Sequence, residues 1–418
     1  MVQALAPVRG LDRLRRVLNL PANHTIDPLL CVENSRGMRI IQTRVHRKFR
    51  RAMPALPADT SVLPHFRAHT FEYPEKEYVT VLERGSAWGY VHGAVFTSEG
   101  EFVPTFARDP WGPRLHQVWT RARLPQPKRI NGRALYLVTP EAADNYHHWM
   151  IDLLPRIGMV TRAGFPIEAF DHIILNQANR AYQWETLTRL GVKKEQMIQV
   201  SPSVRLQPDE LVVPSLKGTN EQMPAEHVRF LRDTFLGTRG GRRGEGRRKL
   251  FLSRKDAPSR KLANEDEVFA LLQPMGFESV SLTGRSVCEQ ARLFSEAEII
   301  VGPSGAAFAN LVFASPGTRV VEFASPTWLT VYHWMISARR GLPHTIILGP
   351  GGPPPRELNI TGRAGDLVAD ISKLKRVLET LVVDRSSPST TKSSRSIETG
   401  YTSSGRAEVL GSKACASL

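Results

Sequence analysis

Short apolar runs recur at regular intervals in the C-terminal part of the chain and predict buried strands. They are KLFLS (249–253), FESVSL (277–282), EIIVG (298–302), TRVVEF (318–323) and HTIILG (344–349). Segments with helical spacing of apolar residues separate these runs, so strands and helices alternate. That order is typical of an α/β fold with a doubly wound, mostly parallel sheet.

Polar residues indicate where two of these helices begin. Asn264 is followed three residues later by Glu267, and Ser286 is followed by Glu289. This spacing predicts a capping box at each helix start, in which each side chain binds the backbone N–H of the other residue. An amphipathic stretch over residues 367–381 predicts a closing helix.

The preceding part of the chain predicts strands first and a strand–helix–strand order afterwards. YVTVLER (78–84) reads as a strand, and the next β-rich stretch contains a hairpin turn at Ser98–Gly100. Three further strands are predicted with a helix over 182–190 between the last two; these strands are ALYLVT (134–139), HIILN (172–176) and MIQV (197–200). This spacing indicates βαβ units.

The length of 418 residues exceeds what one hydrophobic core usually serves, so we expect two domains with extensions. We divide the chain into an N-terminal extension (1–75), an α/β domain (76–238), a basic Gly/Arg linker (239–248), a Rossmann-like domain (249–384) and a tail (385–418). The tail has too few apolar residues to form a core, which predicts disorder.

The formal net charge of +16 suits nucleic acid, anionic lipid or a polyanionic substrate. Much of it lies in two clusters, Arg44–Arg51 and Arg239–Lys249. Neither cluster contains a nucleic-acid-binding motif, so nucleic acid is the least supported of these partners. A solvated surface or peripheral contact with an anionic membrane is favoured.

Cysteine content and hydropathy bear on the compartment. The three cysteines Cys31, Cys288 and Cys415 are far apart and lack metal-ligand spacing, which suits a reducing compartment. No apolar run approaches the ~20 residues that span a bilayer. The N-terminal segment MVQALAPVRGLDRLRRVLNL lacks the apolar core and cleavage site of a signal peptide. We therefore expect a cytoplasmic protein.

The segment NYHHWMIDLLPRI is the first candidate for chemistry. In a helix, His148 and Asp152 are four residues apart and share a face, so the carboxylate can orient the imidazole for general base catalysis. A structural ion pair is the alternative interpretation. A metal site is disfavoured because no third ligand is nearby in the sequence. Pro155 predicts that the helix kinks or ends there.

The turn after the strand EIIVG is the second candidate. Gly302 and Gly305 flank a strand-to-helix turn whose backbone N–H groups can bind phosphate, although such glycines are often needed for steric reasons alone. Ser253, Arg254 and Arg260 follow the first strand of the same predicted sheet. Arginine at the carboxyl end of such a strand suits a diphosphate, whereas a solvated surface is the alternative.

Together these segments resemble glycosyltransferase family 61, the capsular polysaccharide biosynthesis type. The matching segments are NYHHWMIDLLPRI, FLSRKDAPSRKLANEDEV and LFSEAEIIVGPSGAAFANLVFASPGTRVVEF, in that order. The similarity runs from Tyr78 to Leu348 and is densest between Leu250 and Phe323.

The resemblance implies a GT-B fold, in which two Rossmann-like domains face each other across a cleft. Residues 76–238 would hold a glycan or lipid-linked acceptor, and residues 249–384 a nucleotide-sugar donor, for which we expect a UDP-sugar. The resemblance also implies inverting transfer. Metal-dependent transferases often carry an Asp-x-Asp, and the relevant segments contain none, so we expect no metal or other cofactor.

The resemblance assigns roles to individual positions. Asp152 is the candidate base with His148 as its partner, and Asn145 and Arg156 belong to the acceptor side. The donor would contact Ser253, Arg254, Arg260, Gly302, Ser304, Gly305, Asn310 and Glu322.

Two positions depart from the family pattern. Ser304 stands where the family usually has histidine, and Ala307 where it has a second glycine. A hydroxyl can donate to phosphate but carries no charge, so the alternative is a catalytically inactive member that binds a nucleotide or glycan.

Overall fold

The computed structural model describes residues 37–57, 61–73, 75–89, 92–107, 118, 123–216, 222–237, 248–350 and 365–383. The predicted tail (385–418), residues 239–247 of the predicted linker and residues 1–36 of the predicted extension lie outside the described residues. Within them the chain is an α/β protein whose strands form separate sheets.

The strands are β1 Met38–Val45, β2 Phe49–Arg50, β3 Phe71–Glu72, β4 Lys76–Glu83, β5 Ser86–Trp88, β6 Ala94–Phe96, β7 Pro127–Arg129, β8 Arg133–Tyr136, β9 His172–Leu175, β10 Met197–Gln199, β11 Arg205–Gln207, β12 Glu210–Pro214, β13 Arg248–Leu252, β14 Phe277–Val280, β15 Ala297–Pro303, β16 Arg319–Ala324 and β17 His344–Leu348.

The helices are α1 Leu63–Ala68, α2 Tyr146–His148, α3 Leu154–Arg162, α4 Ala181–Arg189, α5 Ala225–Leu236, α6 Glu265–Leu272, α7 Val287–Ser295, α8 Tyr332–Arg340 and α9 Ile371–Val383. A π-helical turn, Trp149–Leu153, joins α2 to α3, and a 3-10 helix, Ala306–Val312, follows β15. No helix within the described ranges is long and apolar enough to cross a membrane.

Strands β13 to β17 form a parallel sheet in the spatial order β14-β13-β15-β16-β17, which confirms the predicted doubly wound sheet. Side chains alternate between its two faces. Phe251 and Val321 belong to the core cluster of α6 and α9, whereas Leu250 and Ile300 belong to that of α7 and the 3-10 helix. The connection after β13 leads to β14 on one side, whereas the connection after β15 leads to β16 on the other side. A crevice therefore opens between the carboxyl ends of β13 and β15.

The N-terminal half contains a six-stranded sheet in the order β1-β4-β12-β8-β9-β10. Strands β12, β8, β9 and β10 are parallel, and helices connect β8 to β9 and β9 to β10, which confirms the predicted βαβ units. Strand β1 pairs antiparallel with β4, so part of the predicted extension forms the edge of this sheet.

The following residues of the predicted extension pack against the C-terminal half instead. Strands β2 and β3 form an antiparallel ribbon, and Ala55 pairs with Thr345 beside β17. The ring of Phe66 in α1 meets Trp334 of α8 edge to face, and the Trp334 indole N–H donates to the Ala52 carbonyl at 2.7 Å.

Local turn and cap predictions have mixed outcomes. The hairpin turn at Ser98–Gly100 is confirmed, with Gly100 N–H donating to the Thr97 carbonyl at 3.0 Å. The capping box at Asn264 is wrong, because the Asn264 side chain exchanges two 2.9 Å hydrogen bonds with the backbone of Ala369. The closing helix begins later than predicted, because Leu367 pairs with Leu262 as an isolated bridge.

Pro155 does not end the helix that begins at Tyr146. The π-helical turn lies just before it, with Leu154 N–H donating to the Trp149 carbonyl, and α3 then continues to Arg162. Proline cannot donate to the preceding turn and crowds it. The wider turn accommodates the proline, so His148 and Asp152 remain on a continuous helix.

Arg156 belongs to α3 and points into the protein, with none of its surface exposed. Its guanidinium donates to the carbonyls of Tyr136, Val138 and Pro214 and to the Thr139 hydroxyl, over 2.9–3.2 Å. Burial lowers the pKa of Arg156 to about 10, so the side chain remains cationic at neutral pH. It ties α3 to the ends of β8 and β12, which leaves its expected acceptor-side role without geometric support.

Replacing Arg156 with Met should therefore destabilise the protein. The substitution leaves buried carbonyls without donors, and we expect the free energy of unfolding to fall by about 3 kcal/mol or more in urea titrations. The control Arg129→Met removes an exposed arginine from β7 and should change it by about 0.5 kcal/mol at most. Equal effects of the two substitutions would contradict this role.

Candidate active site

A cleft of about 1290 Å³ lies between the two halves, at the carboxyl edge of the parallel sheet. One wall is formed by the loop between β8 and α2 and by α4. The other is formed by the segments that follow β13, β14 and β15. This is the edge at which ligands bind in open α/β sheets.

A buried hydrogen-bonded chain joins the two halves beside the cleft. Asn310 has no exposed surface; its amide oxygen accepts from the Tyr146 hydroxyl at 2.8 Å, and its amide nitrogen donates to Gln290 at 2.9 Å. Tyr146 and Gln290 both line the cleft. Asn310, expected to contact the donor, instead connects the residues that do line it.

Glu185 of α4 provides a second link between the halves, which the sequence does not predict. Its carboxylate accepts the N–H of Val287 at 2.7 and 2.9 Å and that of Cys288 at 3.3 Å, at the start of α7. The predicted capping box of Ser286 and Glu289 is confirmed at the same helix start. Glu185 thus binds the first two N–H groups of α7, and Glu289 binds that of the cap residue Ser286.

His148 lies between two carboxylates. Its Nδ1 is 2.7 Å from Asp152, and its Nε2 is 2.8 Å from Glu141. Burial disfavours the charged imidazole, but the bonds to Asp152 and Glu141 outweigh it and raise the pKa of His148 to about 9. The predicted proximity of His148 and Asp152 is confirmed, and Glu141 is an addition that helical spacing cannot reveal.

Glu141 lines the cleft, whereas Asp152 is not among its lining residues. Glu141 also has a backbone φ of 61°, in the left-handed region that non-glycine residues rarely adopt. Arg260 on the opposite wall has a φ of 54°. Such strained backbone concentrates at functional sites, because surrounding contacts must hold it in place.

Asn145 also lines the cleft, at the start of α2. Its side-chain oxygen accepts the His147 N–H at 2.9 Å and caps the helix that carries His148. Asn145 and Glu141 both belong to the loop between β8 and α2, so they lie on the same wall of the cleft.

Glu322 lies behind the cleft in a buried histidine cluster. Its two oxygens are 2.7 Å from His333 and 3.1 Å from His344, and only 2% of the residue is exposed. Burial disfavours the charge, yet both histidines hold the pKa of Glu322 well below its usual range. Both oxygens already have partners, so direct contact with sugar hydroxyls has no geometric support.

The donor-side loop after β13 is held in a defined conformation. The Ser253 hydroxyl donates to Glu265 at 2.5 Å, and the guanidinium of Arg254 donates to the carbonyls of Ser259 and Arg260 at 3.0 Å. Ser253, Arg254 and Arg260 all line the cleft. Two further arginines, Arg180 and Arg285, line it as well, although neither lies in a segment that predicts a site.

The glycines after β15 have steric roles. A Cβ at Gly305 would lie 2.2 Å from Nη1 of Arg254, so the missing side chain lets the guanidinium approach the turn. A Cβ at Gly302 would lie 2.8 Å from Cβ of Leu252, within the sheet. Ser304 is 3% exposed and is not among the residues that line the cleft, whereas Ala307 is.

The described residues contain no group of three or more His, Cys, Asp or Glu side chains arranged to bind a metal ion. Arginine side chains on both walls bring positive charge to the cleft.

Comparison with known families decides the assignment. Residues 146–321 match the sequence model of the family described as Glycosyltransferase 61. The protein is a glycosyltransferase with a family 61 domain. No curated protein matches the chain. The family 61 match includes Tyr146, His148, Asp152 and the donor-side loop, whereas Glu141 and Asn145 lie just before it.

The charge of His148 predicts a pH dependence of stability. Its pKa rises from 6.5 to about 9 on folding, so its contribution is complete below pH 6.5 and is lost as the pH rises through about 9. The difference in unfolding free energy between wild type and His148→Gln should shrink by up to about 3 kcal/mol across that window. A difference independent of pH would contradict the proposed charge state.

Proposed function

We infer that the chain is an inverting, metal-independent glycosyltransferase with a GT-B arrangement. It would move a sugar from a nucleotide-sugar donor, with UDP-linked sugars as first candidates, to a hydroxyl of a glycan or lipid-linked acceptor in polysaccharide biosynthesis. The main support is one cleft that receives a His148-bound carboxylate from one half and arginines from the other. The dispersed cysteines favour a cytoplasmic reaction. The basic surface and a lipid-linked acceptor favour the inner face of a membrane.

The donor diphosphate is assigned to the wall formed by the parallel sheet. Arg254 lies against the Gly305 turn, and Arg260 and Arg285 line the same cleft. Guanidinium groups bind phosphate oxygens through paired, charge-assisted hydrogen bonds, and they can stabilise the negative charge that develops on the leaving diphosphate. This supports transfer without a metal.

The acceptor is assigned to the opposite wall. His148 is protonated at neutral pH and has no free lone pair for a proton, so a carboxylate must be the general base. Asp152 is the residue that the sequence indicates, but Glu141 is the one that lines the cleft. We therefore propose that Glu141 contacts the acceptor hydroxyl. Asp152 would orient His148, which in turn positions the Glu141 carboxylate.

The reaction is then a single displacement. The acceptor oxygen attacks the anomeric carbon while Glu141 takes its proton. The bond from that carbon to the diphosphate oxygen breaks on the opposite side, and the electron pair leaves with the diphosphate, beside Arg254 and Arg260. One bond forms and one breaks, so the configuration at the anomeric carbon inverts.

Ser304 supports the alternative of a catalytically inactive nucleotide- or glycan-binding protein. It is an uncharged residue where the family usually has histidine, and it is almost fully buried. Nucleotide binding without turnover of any donor would favour this alternative.

Release of nucleoside diphosphate from a panel of nucleotide sugars, with acceptor and with or without EDTA, tests the proposal. We expect EDTA-resistant turnover that falls by about 10²-fold or more in Glu141→Gln and in Asp152→Asn. Glu195→Gln, an exposed carboxylate on a 3-10 turn, is the matched control and should keep wild-type turnover.

The two carboxylate variants distinguish the roles. Addition of a small carboxylate such as formate should restore part of the turnover of Glu141→Ala, where the base itself is missing, and none in Asp152→Ala. Rescue of Asp152→Ala alone would make Asp152 the base. Turnover that requires a divalent cation would refute the metal-independent mechanism.

A further inference from the structure

An exposed patch on the β2–β3 ribbon combines apolar and basic side chains. Among the described residues, the exposed large hydrophobic side chains are Val45, Met53, Phe71, Tyr73, Val204 and Val368. Four of these six lie on the ribbon or next to it. Tyr73 is the most exposed at 61%, and Phe71 is 40% exposed. We call the outer face formed by Arg47, Lys48, Arg50, Phe71 and Tyr73 the ribbon patch.

The two faces of the ribbon have opposite environments, because successive strand residues point to opposite sides. On the inner face, Glu72 is 2% exposed and accepts from Arg51 at 3.1 Å and from Arg339 at 2.7 Å. The guanidinium of Arg339 also stacks on the Phe49 ring at 3.6 Å. These contacts fix the ribbon to the C-terminal half.

On the outer face, aromatic rings and cations lie side by side. Arg50 is the cross-strand neighbour of Phe71. The Lys48 ammonium lies 4.6 Å from the centre of the Phe71 ring and 5.5 Å from that of Tyr73. Arg47, Lys48 and Arg50 are all exposed. The patch therefore presents apolar surface and positive charge in the same direction.

The structure separates the basic residues that the sequence groups together. Arg44 pairs with Glu226 at 2.5 Å, and Arg51 is buried against Glu72. Arg47 and Arg50 have no ion pair with any residue in the described part of the chain. Positive charge is therefore available on the outer face of the ribbon, beside the aromatic rings.

The second basic cluster, Arg239–Lys249, adds less unpaired positive charge within the described residues. Arg248 pairs with Glu278 at 2.5 Å, and the Lys249 ammonium donates to the Met275 carbonyl at 2.5 Å. Residues 239–247 lie outside the described ranges. The ribbon patch is therefore the better-defined cationic surface.

We propose that the ribbon patch docks the protein on an anionic lipid surface. Tyrosine has an apolar ring and a polar hydroxyl, which suits the boundary between headgroups and acyl chains, and Phe71 adds apolar area beside it. Arg47, Lys48 and Arg50 provide the complementary charge for anionic headgroups, whose attraction adds to apolar burial. This inference names the membrane contact that the proposed function assumes, yet it does not depend on transfer activity.

Docking through this patch leaves the cleft accessible. No residue of the ribbon patch is among those that line the cleft. The patch belongs to the ribbon that is fixed to the same half as Arg254, so docking would hold the donor-side wall at a constant orientation to the lipid surface.

Co-sedimentation of the full chain with vesicles tests the proposal. Vesicles of phosphatidylcholine alone are compared with vesicles that also contain phosphatidylserine. We expect binding to the anionic vesicles, and a loss of about 10-fold or more in partition coefficient for Lys48→Glu/Arg50→Glu and for Phe71→Ser/Tyr73→Ser.

Two control proteins match these changes in charge and polarity. Lys375→Glu/Arg376→Glu makes the same change in net charge on exposed positions of α9, and Val204→Ser/Val368→Ser removes exposed apolar side chains elsewhere. Both controls should partition nearly like wild type. Thermal unfolding of each variant shows that its fold is intact, so a loss of binding reports on the patch.

Several outcomes would overturn the proposal. One is equal partitioning of wild type into neutral and anionic vesicles. Another is an equal loss in the charge-matched control, which would indicate nonspecific attraction. Self-association, or RNA binding, that disappears in the ribbon variants while vesicle binding is absent would show that the patch serves a second copy or a nucleic acid.

Discussion

The buried hydrogen bonds of Asn310 are the constraint on which the site depends. Asn310 has no exposed surface, and it connects the Tyr146 hydroxyl on the N-terminal half to Gln290 on the C-terminal half. A buried amide that loses a partner costs more free energy than the bond itself contributes. Burial also raises the pKa of Tyr146, so its hydroxyl remains a donor. The two halves are thereby held in register beside the cleft.

This register sets where each charge lies. Tyr146 begins the helix that carries His148 and Asp152, and the π-helical turn keeps that helix continuous past Pro155. On the other half, the crevice beside β13 places Arg254 against the Gly305 turn. The cleft therefore has the His148-bound carboxylate of Glu141 on one wall and three of its four lining arginines on the other, which suits displacement of a diphosphate.

Much of this arrangement could be predicted from the sequence, and the remainder illustrates what periodicity omits. Apolar runs identify β13 to β17, and helical spacing brings His148 to Asp152. Glu141 and Glu185 could not be predicted in the same way, because their partners depend on a left-handed loop residue and on packing between the halves. Asn264 has a helix-capping residue type, but its side chain binds the backbone of Ala369, a contact from distant sequence.

Titration calorimetry of nucleoside diphosphates in the presence of EDTA shows whether arginines bind the diphosphate without a metal. We expect binding to persist and to weaken by about 10-fold or more in Arg254→Met, because paired charge-assisted hydrogen bonds to phosphate are lost. Arg292→Met, an exposed arginine of α7, should bind like wild type. Binding that requires a divalent cation, or that is unchanged in Arg254→Met, would show that Arg254 does not hold the diphosphate in place of a metal.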